Sequence, residues 1–139
     1  MKDHTTNYYN TFISVAPDCP VSKGTIPPER NGELTIAGIE FKIMNNHDYQ
    51  YTSDDVLFEV FSRRKGVPTE IMGTERLKYF SKGQPCFRAS PLTKKYGWGI
   101  HCDADGKIAM IPMESEAYQK FSTDPGIKQV AAMRSSKKH

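Results

Sequence analysis

Apolar and polar positions change period several times along the chain, and each change marks a short element. Residues 11–16 (TFISVA) are β-branched and aromatic and predict a strand, closed by Pro17 and Pro20. Residues 18–32 hold Pro20, Pro27, Pro28, Gly24 and Gly32, too many breakers for a helix or a central strand, so they predict a loop. Residues 34–46 fit two templates. Ile39, Phe41 and Ile43 alternate with Glu40 and Lys42 as in a strand, whereas Ile36, Ile39, Ile43 and Met44 recur at helical spacing. We take the helix, with Thr35 to start it and Asn45-Asn46 to end it, against about 1 kcal/mol for Gly38 relative to alanine. The strand remains the open alternative.

Residues 54–65 give the cleanest helix, with Thr52 or Ser53 as N-cap and Gly66 as the left-handed terminator. Asp54 and Asp55 sit at its positive end and Arg63, Arg64 and Lys65 at its negative end. Val56, Leu57, Val60 and Phe61 form the expected buried stripe, with Phe58 at its margin. Beyond a loop around Pro68, residues 74–80 predict a short helix capped by Thr74, and residues 86–89 a short strand. Ser90-Pro91 then opens a brief helix ending at Tyr96, because proline at the first helical position gives up only an N–H that would have been orphaned.

Residues 97–103 and 107–112 predict a hairpin about Asp105-Gly106. A three-residue loop pairs Asp103 with Lys107 and gathers Trp98, Ile100, Cys102, Ile108 and Met110 on one face, whereas a two-residue loop splits them. Ser115 caps a last helix to about Ser122, and residues 127–133 predict a final strand. The order of elements implies an α+β fold, a single domain over residues 1–139 with a small, mainly antiparallel sheet packed against helices. The ends, about 1–7 and 135–139, read as flexible.

Composition narrows the class. A hydrophobic fraction of 37% with 25% charged residues excludes a disordered chain or a coiled coil. No run of 18 apolar residues is present, and the opening MKDHTTNYYN lacks an apolar signal core, so the expectation is a cytoplasmic protein without membrane attachment. Cys19, Cys86 and Cys102 have neither disulfide nor metal spacing and read as reduced thiols. No cofactor is implied.

Charge changes the picture more. Residues 1–75 carry 7 Lys/Arg and 11 Asp/Glu, a balance of −4, whereas residues 76–139 carry 12 and 5, a balance of +7. Between Arg76 and Tyr96 there is no acid, and Arg76, Lys78, Lys82, Arg88, Lys94 and Lys95 interleave with Tyr79, Phe80, Phe87 and Tyr96. That composition suits a surface that contacts phosphates and stacks on bases. The simpler explanation is that the aromatics are core and the cations solvated. The candidate ligand-binding set is Lys82, Arg88, Ser90, Lys94, Lys95 and Trp98. Its sharpest point is the start of the Pro91 helix, where the N–H groups of Leu92 and Thr93, the Ser90 hydroxyl and the Arg88 guanidinium converge in principle on an anion.

A catalytic alternative places His101 and Asp103 on one strand face, with Ser90 or Cys86 as nucleophile in a hydrolase or transferase. Cys102 shares the Trp98 face and reads as a core residue. His4, His47 and His101 lack metal-ligand spacing, so no metal site is assigned, and the Asp54-Asp55 pair is explained by its helix start.

Tyr9-Asn10-Thr11-Phe12, Asp18-Cys19-Pro20, the run from Thr52 to Val60, Arg88-Ala89-Ser90-Pro91-Leu92, the run from Tyr96 to His101, and Ala132-Met133-Arg134-Ser135 together resemble a bacterial family, domain of unknown function 6157. The likeness spans essentially the whole chain and brings no activity, cofactor or catalytic residue. The leading expectation is therefore a bacterial cytoplasmic module whose basic-aromatic surface binds a phosphorylated small molecule or nucleic acid. The hydrolase or transferase and a homo-oligomeric interaction protein using the Pro-rich segment 19–28 are the alternatives.

Overall fold

The structure is a computed structural model that describes residues 3–136. It has one core sheet and five helices. The strands are β1 (Thr11–Ser14), β2 (Trp98–Cys102), β3 (Ile108–Pro112) and β4 (Lys128–Ala131), in the order β3-β2-β1-β4. β1 pairs antiparallel with β2, and β2 with β3, while β4 joins β1 in parallel. The helices are α1 (Ile36–Met44), α2 (Ser53–Lys65), α3 (Met72–Tyr79), α4 (Pro91–Lys94) and α5 (Glu116–Ser122). The fold is α+β, with a mostly antiparallel sheet.

Alternation along the strands separates two layers of core. Ile13, Ile100, Cys102, Ile108 and Met110 face the layer built by α1, α2 and α4 together with Phe87. Phe12, Ala109 and Ile111 face α5, where Tyr118 and Phe121 cover them. The hairpin adopts the three-residue loop. Asp103 donates its N–H to the Lys107 carbonyl, Gly106 takes φ +80°, and the Asp103 carboxylate accepts from the N–H groups of Asp105 and Lys107.

Residues 36–44 are helical, which resolves the open alternative. Thr35 accepts from the Gly38 N–H, and the chain leaves through Asn46 at φ +65°. Strand alternation fails here because Ile39 and Glu40, adjacent in sequence, are both buried. α2 begins at Thr52, whose hydroxyl and the Asp55 carboxylate form a reciprocal capping box, and ends at Gly66 with φ +66°. Its buried stripe differs from the expected one: Val56, Phe58 and Val60 are buried, whereas Leu57 and Phe61 are half-buried. α2 meets α3 as well as α1, and Phe58 fills that second contact against Tyr79.

Other local expectations are corrected. Residues 86–89 form a 3-10 turn, not a strand, because the N–H groups of Ala89 and Ser90 close onto the carbonyls of Cys86 and Phe87 and need no sheet partner. α3 starts two residues before Thr74, continuing a 3-10 turn that follows Pro68, and it has no side-chain cap. α4 stops at Lys94, and β4 covers 128–131, after which the Met133 N–H turns to the Arg88 carbonyl.

The lead sequence is fixed earlier than its polarity suggests. Asp54 accepts from the Thr5 hydroxyl and from both the N–H and hydroxyl of Thr6, each at 2.7 Å, and its own N–H donates to Asn7. Ser135 and Ser136 donate N–H groups to Asp18. The rest of the expected loose ends, residues 1–2 and 137–139, lie outside the described residues.

Gly99 shows how tightly β2 is held between the layers. A Cβ there would lie 2.7 Å from Phe12 Cζ and 2.8 Å from Tyr118 Cε2, and the Tyr118 hydroxyl is pinned by accepting the Val15 N–H. Gly99→Ala is expected to cost about 1–3 kcal/mol through overpacking, read as a lower urea midpoint at unchanged m-value.

Candidate functional site

The residues singled out in the basic segment do not form one site. Ser90 is buried, its hydroxyl accepting from the Leu92 N–H and donating at 2.6 Å to Glu40 Oε1. The Thr93 N–H is taken by the Ser90 carbonyl. The donors expected to meet an anion at the start of α4 are thus already engaged, and the nearest carboxyl is the chain's own. Arg88 turns to the sheet edge, its Nε donating to the Ala131 carbonyl at 2.7 Å. Trp98 is half-buried against Phe41 and donates its indole N–H to the Thr25 carbonyl.

Most of the segment's aromatics serve the core or its margin. Tyr79 packs with Phe58, Phe61 and Phe80, Arg76 lies over the Phe58 and Phe80 rings while bonding Asp55, and Lys78 reaches Glu75. Lys82, Lys94 and Lys95 make no ion pair among the described residues.

The sheet separates the proposed catalytic partners. His101 pairs across from Phe12 and Ala109 on the α5 side, stacked 4.0 Å from the Phe121 ring. Its Nδ1 bonds the Tyr49 hydroxyl at 2.8 Å, and burial lowers its pKa despite Asp103 and Asp124 nearby. Asp103 is occupied by the hairpin loop. Ser90 and Cys86 belong to the opposite layer, where Cys86 lies 3.5 Å from the Tyr8 hydroxyl. Cys102 is buried, and desolvation pushes its thiol up to about 12, which favours the neutral thiol over the thiolate. Among the described residues no three His, Cys, Asp or Glu groups stand together as metal ligands. The Pro-rich segment is tied to its own chain: Gly24 donates to Glu114 and Thr25 to the Tyr96 carbonyl.

What the fold does assemble is a cleft of about 400 Å³ between α1, α2, α3 and the segment leading into α4. Its walls are apolar, with Ile36, Leu57, Val60, Phe61 and Pro85 among them. The exposed side chains of Arg64 and Lys65 stand at its mouth, and the buried Glu40-Ser90 pair lies at its base. The volume falls within the roughly 300–1,000 Å³ usual for small-molecule sites. Burial raises the Glu40 pKa to about 7, the Ser90 hydrogen bond opposing the rise.

Glu40 escaped notice in the sequence because alternation set it among polar residues. On a helix it falls between Ile36 and Ile43, at four residues from one and three from the other, inside the apolar stripe. An acid in that stripe was the available signal. Arg64 and Lys65 were absorbed by the helix-dipole explanation.

A family model described as a family of unknown function, DUF6157, matches residues 3–138. The chain belongs to this family. No curated protein and no solved structure matches this DUF6157 member. No helix among the described residues is long and apolar enough to cross a membrane.

The Glu40 carboxyl makes stability depend on pH in a definite direction. Its pKa is raised on folding, so between 4.5 and about 7 the folded chain keeps a proton that the unfolded chain releases, and stability falls as pH rises through that window. At roughly 1.4 kcal/mol per unit, the loss is on the order of 3 kcal/mol and is complete above the folded pKa. Glu40→Gln is expected to flatten this slope, being most stabilised relative to the parent near pH 8, as read by urea unfolding at pH 5 and pH 8. Equal slopes in parent and variant would place the carboxyl in water.

Proposed function

We propose that this protein is a binding module for a small amphipathic anion, a carboxylate or phosphate carried on an apolar body, seated in the cleft between α1, α2 and α3. One arrangement carries this reading: an apolar cleft with a buried carboxyl and hydroxyl at its base and two cations, Arg64 and Lys65, at its mouth. Apolar walls supply affinity by removing ligand surface from water, and the cations select the sign of the ligand's exposed group. A cationic ligand is disfavoured by the same pair. The anion-binding expectation is retained, relocated from the segment around Lys82, Arg88, Lys94 and Lys95 to the end of α2. We take the setting to be a bacterial cytoplasm, in keeping with the family resemblance and with three cysteines that stand free.

The fluorescent anion 8-anilinonaphthalene-1-sulfonate is a suitable probe. It should bind saturably at one site, more weakly at high salt, and roughly three- to tenfold more weakly after Arg64→Gln with Lys65→Gln, as partly exposed charge pairs allow. Val60→Trp, which fills the cleft, should abolish binding while near-ultraviolet dichroism shows a folded chain. Binding indifferent to all three substitutions would sink the proposal. Heparin retention that survives them and is lost in Lys82→Gln, Lys94→Gln and Lys95→Gln would return the anion site to the basic segment.

A further inference from the structure

The base of the cleft is more specific than its walls. Glu40 is 1% exposed, and Ser90 binds only its Oε1. Oε2 has no hydrogen-bond partner among the described residues. No sealed side-chain oxygen or nitrogen there lacks a partner, so Oε2 must meet accessible space, and the space that Glu40 lines is the cleft. A buried polar atom aimed into an apolar cavity is a recognition group awaiting its complement, because leaving it unpaired under a bound ligand is costly.

The surroundings decide what that complement is. From α2 the cleft presents Arg64 and Lys65, from α3 Tyr79, from the segment before α4 Cys86, and from α4 itself Ser90. None forms an ion pair with Glu40 among the described residues, and Tyr79, whose own pKa is raised by burial and by Glu40 among others, stays neutral. With no cation to hold it ionised, the carboxyl is a hydrogen-bond donor over the acid side of neutrality.

Building on the cleft reading above, we propose that Glu40 donates from Oε2 to a carbonyl oxygen of the ligand while Ser90 holds Oε1, so that the ligand class is an oxo- or acyl-substituted apolar acid. The terminal oxyanion rests between Arg64 and Lys65, the body lies on Leu57, Val60 and Phe61, and the carbonyl reaches the base. Binding then requires the protonated carboxyl and weakens as that proton is lost, because an ionised Oε2 repels the carbonyl oxygen. Ser90 is a positioning residue here. Its hydroxyl is engaged by Glu40 and by the Leu92 N–H, which leaves no donor pair to stabilise an oxyanion beside it.

Two matched probes test this: 4-benzoylbutyrate and 5-phenylpentanoate, which differ only by a carbonyl in place of a methylene and are both ionised across the range used. Isothermal titration calorimetry at pH 6 should show the carbonyl compound binding roughly three- to tenfold more tightly, the worth of one good hydrogen bond. The preference should vanish by pH 8.5. In Glu40→Gln, whose amide donates at every pH, it should persist unchanged from pH 6 to 8.5. Two acids bound equally at both pH values by the parent would overturn the role of Glu40 and leave the cleft standing. Neither acid bound at pH 6 would remove the cleft reading itself. The parent comparison decides without any variant, so misfolding of Glu40→Gln would not blunt it.

Discussion

A hydrogen bond of 2.6 Å between the Ser90 hydroxyl and Glu40 joins the first long helix to the start of the fourth, and the cleft depends on it. Removing a carboxyl from water is expensive unless it is neutralised or bonded, and here one oxygen is bonded while burial favours the neutral form. The bond therefore fixes three things together. It ties α1 to the start of α4, it holds Oε1 of the acid, and it leaves Oε2 without a hydrogen-bond partner among the described residues. Ser90 can serve in this way because Pro91 and the Leu92 N–H lock it as an N-cap.

Around that bond the rest of the molecule is conservative. Each strand face is claimed by one layer of helices, and β2 is held so closely that a Cβ at position 99 would lie under 3 Å from two aromatic rings. The capping box of α2, the Gly66 terminator and the Asp103 loop satisfy backbone groups where the elements end. A rigid scaffold of this kind is what lets a cleft between helices keep its shape when empty.

Much of the fold was legible in the sequence because it is written locally. Thr52 with Asp55, Gly66, Ser90-Pro91, Ser115 and the Asp105-Gly106 loop are short-range signals, and each marks its boundary within a residue or two. The errors arise where tertiary contact overrides local pattern. Phe58 is buried because α3 arrives beside α2, and no periodicity within α2 reports that. Thr5 and Thr6 read as a loose lead because their partner, Asp54, lies almost fifty residues away. The candidate site was less legible for the same reason. Arg88, Ser90 and Trp98 are neighbours in sequence, yet their polar groups point to a sheet edge, a buried acid and a loop carbonyl. Charge density along a chain says little about where the folded chain directs it.

The placing of β1 has a consequence for how the molecule comes into being. β1, residues 11–14, lies inside the sheet between two partners far downstream of it, 98–102 and 128–131. Both pairings close loops of more than eighty residues, so the sheet is among the slow, non-local kind of assembly. Ile13 meets α1 and α2 soon after it is made, whereas Phe12 waits for Tyr118 and Phe121 of α5, and the backbone groups of β1 stay without their ladder until residues more than eighty positions downstream have followed.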